Sequence, residues 1–417
     1  MPLAVLVLGL SVFALGTSEF MITGLVPGMA ADLGVSVPAT GLLISAFAIG
    51  MVVGAPVLAA ATLKLPRRTT LVALLGVFAL AHVVGALAPG YGLLFVTRVV
   101  SALACAGFWA VAAATAISMV PRARRGRALA VLVGGLTVAN IAGVPAGTFL
   151  GQHAGWRSAF WAVAALSLVA LVAVLTLVPA TRADGDAPSL HTELRLYRRG
   201  RVWLALGVIA LSQAMTFATF SYLAPLLVEV NGLPSGAMPL VLALFGVGAL
   251  AGITLGGKLA DTRPFAVLYG GMGLALAALV ALALAGPRTP VAIAAVIAIG
   301  AGGFAINPAL NVRAFTVAGD DAPTLVGAST TSAFNVGNTV GPWFGGLAIG
   351  GGFGYPSVAW VSIALGVAAL AVLTFAAGVQ RSDDARRGTE DPIKEKRNHD
   401  RADPHRGDRV PDPAGRR

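Results

Sequence analysis

Charged side chains are scarce in this sequence, and that scarcity excludes most soluble proteins. Asp, Glu, Lys and Arg make up 11% of the 417 residues, whereas 57% are hydrophobic and the mean hydropathy is +0.84. A soluble domain carries about a quarter charged residues. The single cysteine, Cys105, excludes an internal disulfide framework and a thiolate metal cage. HExxH and the phosphate-binding G-x-x-x-x-G-K-[ST] are also missing, so neither zinc hydrolysis nor nucleotide hydrolysis is indicated.

What the chain has instead is a series of long apolar runs between Leu3 and Ala377. A membrane-spanning helix needs about 20 mostly apolar residues. The sequence predicts twelve of them, centred near residues 15, 50, 79, 107, 139, 168, 214, 248, 275, 303, 336 and 366. We therefore expect an all-α membrane protein.

Two breaks in composition predict how the chain is divided. A polar stretch separates two sets of six apolar segments, and a second polar stretch follows Gly378 with almost nothing apolar to bury, a composition typical of disorder. The predicted parts are an N-terminal six-helix bundle (1–179), a cytoplasmic central loop (180–201), a C-terminal six-helix bundle (202–378) and a disordered charged cytoplasmic tail (379–417). Repeated six-helix halves are typical of secondary transporters, whose substrate site lies between the halves.

The net charge of +11 is distributed unevenly over the connections between segments. The odd-numbered connections hold Arg157 and Arg288. The even-numbered connections hold Lys64, Arg67, Arg68, Arg122, Arg124, Arg125, Arg127, Arg182, Arg195, Arg198, Arg199, Arg201, Lys258, Arg263 and Arg313. By the positive-inside rule this predicts that the even-numbered connections and both termini are cytoplasmic. The basic excess is thus explained without a nucleic-acid partner.

Two ionisable residues, Glu19 and Arg98, stand deep inside predicted segments. An ionised group at the bilayer centre costs on the order of 3 kcal/mol, so such residues face the bundle interior and often mark an ion or substrate pathway. A carboxylate held between burial and a nearby guanidinium can change its protonation when access switches sides. The alternative is a purely structural Glu–Arg pair joining two helices, and helix rotation, which hydropathy does not fix, decides whether the two side chains touch.

Further polar and aromatic residues are candidates for a substrate cavity, because ligand pockets are mostly apolar with a few placed polar groups. The candidates are Phe20, Met21, Thr23, Trp109, Asn140, Gln213, Phe217, Phe220, Tyr222, Asn335 and Asn338. The alternative for the aromatic residues and Met21 is a core or lipid-facing position, and for Asn335 and Asn338 it is an interhelical hydrogen bond. Gly143, Gly147 and Gly151, with Pro145 among them, follow a small-xxx-small spacing that permits close helix contact, at a gate or in simple packing. His82 is a possible proton-relay member or a hydrogen-bonded structural residue.

Several short motifs together resemble the major facilitator superfamily, and most closely its twelve-helix drug:proton antiporter branch. These are Leu94-x-x-x-Arg98, Gly143-Val-Pro145-x-Gly147 continuing to Gly151 and Gly155-Trp156-Arg157, Phe220-Ser-Tyr222-Leu-Ala-Pro225 and Asn335-Val-Gly337-Asn338. The loop after the second segment departs from the family pattern, with Leu63 and Pro66 where an aspartate and a glycine are usual, but it keeps Arg67 and Arg68. Its second-half copy, Gly257 to Asp261, is better preserved.

Within that branch, Gly16-Thr-Ser-Glu19-Phe-Met and Ala81-His82-Val-Val-Gly85 are similar to the actinobacterial chloramphenicol-resistance exporters. The resemblance implies a monomeric efflux antiporter in the cell membrane, exporting chloramphenicol or a related antibiotic in exchange for protons. It implies that Glu19 is the proton or substrate carboxylate and Arg98 the coupling arginine. The expected partners are a small-molecule drug, protons and the lipid bilayer, with no nucleic acid, no cofactor, no metal and no enzymatic activity. Export of a sugar or an endogenous metabolite, or a non-transporting membrane sensor, are the alternatives.

Overall fold

The computed structural model describes residues 2–62, 65–121, 124–180, 200–260, 262–318 and 323–402, and helices make up nearly all of them. Fourteen of these helices are labelled here in chain order. They are α1 Leu3–Phe20, α2 Val26–Leu33, α3 Val37–Thr62, α4 Arg67–Ala86, α5 Tyr91–Ser118, α6 Arg125–Val138, α7 Val144–Ala154, α8 Trp156–Leu177, α9 Gly200–Phe220, α10 Met238–Ala260, α11 Pro264–Leu284, α12 Thr289–Ala318, α13 Pro323–Ala348 and α14 Ser357–Ala402.

Short irregular helices complete these elements where the α-helical ladder changes pitch. They are the 3₁₀ turns Met21–Gly24 and Ser235–Ala237, the single turn Leu223–Pro225, and the π-helical stretches Ala139–Gly143, Leu226–Val230 and Ile349–Phe353. The stretch Ala139–Gly143 joins α6 to α7, so the fifth predicted segment is one membrane helix with a π-bulge at its middle. Such bulges are frequent at functional sites.

Eleven helices in the described part of the chain are long and apolar enough to cross a membrane. The twelfth predicted crossing is α13, which is 26 residues long and spans the predicted position. It falls short in apolar content because Thr331, Asn335, Asn338 and Thr339 form a polar stripe along it. Its neighbours explain how the membrane tolerates that stripe, since α13 packs between α9, α3 and α14 inside the bundle.

Separate hydrophobic cores hold the two six-helix sets together. One core is built from residues of α1 to α6 and of α8. Two more lie among α9 to α14, and one of these also takes in Phe20 and Val144 from the first set. Contact between the sets runs mainly through α3 against α13 and through α7 with its π-bulge against α10.

The end of the bundle that carries the odd-numbered connections, here called the odd end, is closed by several contacts between the halves. Tyr222 packs against Gly41 of α3 and against Gly346 of α13. The Ser45 hydroxyl donates to the Thr339 carbonyl over 3.0 Å. The Gln152 amide donates to the Ser235 carbonyl over 2.7 Å. The halves therefore touch through close backbone and side-chain contacts at this end.

The polar regions of the sequence meet the structure only in part. Residues 181–199 of the predicted central loop and residues 403–417 of the predicted tail lie outside the described residues. The helix α14, Ser357–Ala402, extends past residue 379, where the predicted tail begins.

Candidate functional site

Arg98 lies at the centre of the first half, on α5, with no solvent exposure. One terminal nitrogen donates to the Ser18 hydroxyl over 2.9 Å, and the other donates to the backbone carbonyl of Glu19 over 3.4 Å. The guanidinium carbon also lies 4.4 Å from the centre of the Phe47 ring, a cation–π distance. A buried cation is thus held by a hydroxyl, a carbonyl and an aromatic face.

Glu19 stands in the last turn of α1, immediately before the 3₁₀ turn that begins at Met21. The last four carbonyls of a helix have no intrahelical partner, and Arg98 fills that role for the carbonyl of Glu19. The side chain of Glu19 is only partly buried. Within the described residues its carboxylate takes part in no hydrogen bond and no ion pair. Glu19 and Arg98 therefore touch through the backbone of Glu19, and the carboxylate stays available.

An aromatic cluster continues directly from Glu19 into the second half. The Phe20 ring lies 5.2 Å from that of Phe217 and 6.5 Å from that of Phe220. Phe220 in turn stacks on Phe245, with 4.4 Å between ring centres. All four rings are at least nine-tenths buried. The predicted residues Phe20, Phe217 and Phe220 are thus brought together, across the interface between α1 and α9.

Amide side chains of the second half gather on α9 and α13. Gly337 lies against the Cβ of Gln213, which places Asn338 next to α9. Gln213, Asn335 and Asn338 are all more than nine-tenths buried. The Asn335 amide donates to the Thr331 carbonyl over 3.0 Å, and the side-chain oxygens of Asn335 and Asn338 have no hydrogen-bond partner among the described residues. These oxygens are unused acceptors in an apolar interior.

Other predicted cavity residues have different environments. Met21, Thr23 and Tyr222 are each at most 1% exposed. Met21 packs in the first core, and Tyr222 lies at the contact between the halves at the odd end, where glycines flank it. Trp109 is partly accessible, and Asn140 sits in the π-bulge with its amide bonded to the Leu136 carbonyl.

The glycines of the antiporter-like motif face α1, the helix that carries Glu19, and the turn that follows it. A Cβ on Gly143 would lie 2.1 Å from the Thr17 hydroxyl, and one on Gly151 would lie 2.2 Å from Leu25. Gly147 faces Met21 at an ordinary contact distance of 3.4 Å. Pro145 is buried beside them. The small-xxx-small spacing is therefore a close helix contact next to the candidate site.

The motif of the even-numbered loops lies only partly within the described residues. Arg67 donates to the Ala114 carbonyl over 3.2 Å, which ties the start of α4 to the end of α5. Arg68 is partly buried and Gly257 is exposed. Leu63, Lys64 and Asp261 lie outside the described residues.

Two further ionisable groups were not found by sequence reasoning. Arg313, expected in a connection, lies inside α12, is 7% exposed and stands 5.0 Å over the Phe265 ring. Its proximity to the helix end hid it among loop residues. Asp32 on α2 accepts hydrogen bonds from the Trp156 indole and the Arg157 guanidinium, and Arg157 also donates to the Ala88 carbonyl. These two donors hold the pKa of Asp32 below its ordinary value.

A two-halved bundle of membrane-crossing helices with a buried cation beside an accessible carboxylate is the architecture of a secondary transporter. The chain belongs to the Major Facilitator Superfamily, whose family model matches residues 8–333. The predicted fold class and family are confirmed.

Individual relatives agree with this assignment. The chain is 44% identical to a "Chloramphenicol resistance protein" of Streptomyces lividans over 375 residues, 89% of this chain and 95% of that protein. It is 36% identical to the "Inner membrane transport protein YdhP" of Escherichia coli K12 over 353 residues, 85% of this chain and 90% of that one. A bacterial homologue of the human lysosomal transporter Spinster, solved in an inward-facing, unoccupied conformation, matches with a TM-score of 0.70 at 18% identity, over 90% of this chain and 95% of that chain. This last match concerns the fold.

Proposed function

We propose that this protein exports chloramphenicol, or a related small amphipathic antibiotic, across the cytoplasmic membrane in exchange for protons. The observation that carries the proton-coupling part is the Glu19 carboxylate, which is partly accessible and, within the described residues, unpaired, although a buried arginine contacts its backbone. The substrate part is supported by the 44% identity to a chloramphenicol resistance protein over 89% of the chain.

In this proposal Glu19 takes up and releases the transported proton. A carboxylate locked in an ion pair would keep its charge, whereas an unpaired one can exchange a proton with the space between the halves. Each proton entering down about 100 mV supplies about 2.3 kcal/mol. At about 1.4 kcal/mol per tenfold, this sustains a roughly fifty-fold gradient of a neutral solute.

The aromatic cluster and the amide groups supply the binding chemistry. The nitrophenyl ring of chloramphenicol would stack on the aromatic residues that follow Glu19, since aromatic pairs prefer such offset or edge contacts. Its hydroxyl and amide hydrogens would be donors for the unused oxygens of Asn335 and Asn338. Binding in this region would place the drug between Glu19 on α1 and the polar stripe of α13.

The remaining features of the proposal follow from charge distribution and family. The even-numbered connections and both termini face the cytoplasm under the positive-inside rule. The protein works as a monomer, without cofactor, metal or enzymatic reaction, and draws its energy from the proton gradient.

Flux of labelled chloramphenicol in proteoliposomes tests this function. An imposed proton gradient should drive drug accumulation in wild-type vesicles, and dissipating the gradient should abolish it. Excess glucose-type or arabinose-type sugar should not compete. Competition by the sugar would move the assignment to sugar efflux. Binding without accumulation would favour a sensor.

A further inference from the structure

A chain of hydrogen bonds leads away from Arg98 through three helices of the first half. Arg98 donates to the Ser18 hydroxyl over 2.9 Å, and Ser18 lies 2.6 Å from Nε2 of His82 on α4. The other ring nitrogen of His82, Nδ1, lies 2.8 Å from the Phe78 carbonyl. Arg98, Ser18 and His82 are each at most 1% exposed. This chain of hydrogen bonds is therefore closed to bulk water.

The chemistry of the groups fixes the direction of each bond. A guanidinium only donates, so the Ser18 oxygen accepts from Arg98. A carbonyl only accepts, so Nδ1 of His82 carries a proton. In a neutral imidazole Nε2 is then the acceptor, and the Ser18 hydroxyl donates to it. A doubly protonated ring would instead place a second cation near Arg98 in an apolar setting, which is costly.

We propose that Ser18 and His82 are positioning residues for the proton-coupling site. Neutral His82, protonated on Nδ1, orients the Ser18 hydroxyl so that its oxygen faces Arg98. This holds the guanidinium at the backbone of Glu19 and away from the Glu19 carboxylate. The proposal rests on the proposed function in one respect: the role of Glu19 in proton exchange.

The packing around the histidine supports a fixed ring. His82 lies between Phe78 and Phe160, at 4.3 and 5.7 Å between ring centres. In the part of the chain that the structure describes, the Arg98 Nε already has no hydrogen-bond partner. Removing the Ser18 hydroxyl would leave a second unmatched donor on a buried cation, a costly state. The unpaired Glu19 carboxylate is the nearby acceptor that would relieve it, and the resulting ion pair would take the carboxylate out of proton exchange.

The tautomer can be measured without any transport assay. In a variant that keeps His82 and replaces the other four of the five histidines, ¹⁵N NMR of the purified protein reads the two ring nitrogens separately. We expect a protonated Nδ1 and an unprotonated Nε2. Protonation at Nε2 alone, or at both nitrogens at neutral pH, would overturn the proposed bond directions. This result does not depend on the identity of the transported substrate.

A pair of serine variants on the same helix tests the positioning role. Ser18→Ala removes the relay, whereas Ser11→Ala removes an equally buried hydroxyl that donates to the Val7 carbonyl of its own helix. For Ser18→Ala we expect proton-driven drug flux to fall on the order of tenfold, consistent with an unmatched buried donor. Exchange of drug across the vesicle membrane in the absence of a proton gradient should persist. Ser11→Ala should leave both activities unchanged, and Ser18→Thr should restore flux.

A variant of His82, alone and combined with Ser18→Ala, completes a double-mutant cycle. His82→Phe keeps a ring between Phe78 and Phe160 but removes both nitrogens, and it should reproduce the loss seen in Ser18→Ala. Because the two residues act through one bond, the double variant should be no worse than either single one. If a variant lost gradient-driven flux and drug exchange equally, or if the losses of the two single variants added up in the double variant, Ser18 and His82 would have only a structural role. If wild-type vesicles transport no chloramphenicol, the proposed function fails while the NMR result still decides the tautomer.

Discussion

A single methyl group on Gly41 should separate the halves at the odd end. Gly41 lies on α3, where a Cβ would stand 2.2 Å from the Tyr222 hydroxyl oxygen. The tyrosine is fully buried, and its hydroxyl donates to the Pro342 carbonyl over 3.0 Å. It is also flanked by Gly346, so the ring has little room to withdraw. Gly41→Ala therefore acts as a wedge between α3 and the second half.

The size of the effect follows from this overlap. Ordinary contact begins at 3.4 Å, so the two groups must move apart by about 1 Å. Overpacking of this kind costs typically 1–3 kcal/mol. Because the strain arises where the halves meet, it should disfavour the state closed at the odd end relative to the open one. About 2 kcal/mol shifts that equilibrium roughly thirtyfold.

Spin-label distances would measure this shift. Cysteines at His153 and Gly236, two exposed positions at the odd end, lie on either side of the contact between Gln152 and Ser235. In a Cys105→Ala background, Gly41→Ala should add or enlarge a population with a longer label distance and should slow transport.

Gly28→Ala is the matched control, since it is at the same end and a Cβ there meets no atom of the described residues within 4 Å. It should leave the distance distribution unchanged. If Gly41→Ala also leaves it unchanged and the protein transports normally, the close contact with Tyr222 does not hold the odd end closed.

Three further outcomes are expected. Gly143→Ala should lower the thermal midpoint and slow transport, because its Cβ would lie 2.1 Å from the Thr17 hydroxyl. Gly134→Ala, whose Cβ meets no described atom within 4 Å, should alter neither, and equal midpoints for the two variants would contradict this. The lowered pKa of Asp32 means that its contribution to stability is present above its ordinary value of 3.8 and is lost as the pH falls through the lowered one. Asp32→Asn should therefore make the acid-side decline in the melting temperature shallower, and an unchanged decline would refute this. Arg157→Lys loses the two hydrogen bonds to Asp32 and to the Ala88 carbonyl. It should therefore lower the melting temperature at neutral pH, as measured by thermal unfolding.

The fold was predictable because a bilayer imposes a simple requirement. About 20 apolar residues are needed for each crossing, and the sequence repeats such runs between polar connections. The exception is instructive: α13 is too polar to count as a spanning helix by composition, yet it occupies the predicted place. Its polar stripe is tolerated because neighbouring helices surround it. Apolar content thus predicts membrane-spanning helices that face lipid better than those in the interior of the bundle.

The candidate site was predictable as residues but not as geometry. Glu19 and Arg98 stand out because a charge among apolar residues is conspicuous. Hydropathy does not fix how a helix is rotated when it is apolar on most sides. The sequence therefore could not predict that Arg98 donates to the backbone carbonyl of Glu19 and not to its carboxylate. Arg313 was missed because a long side chain near a helix end looks like a loop residue.

Proton release on drug binding tests the central claim most directly. Purified wild-type protein in weakly buffered detergent solution should release protons when chloramphenicol is added, as the drug and the proton on Glu19 compete. Glu19→Gln, at matched purity and with retained binding, should release none. Equal proton release from both proteins would show that another group carries the proton and would contradict the role assigned to Glu19.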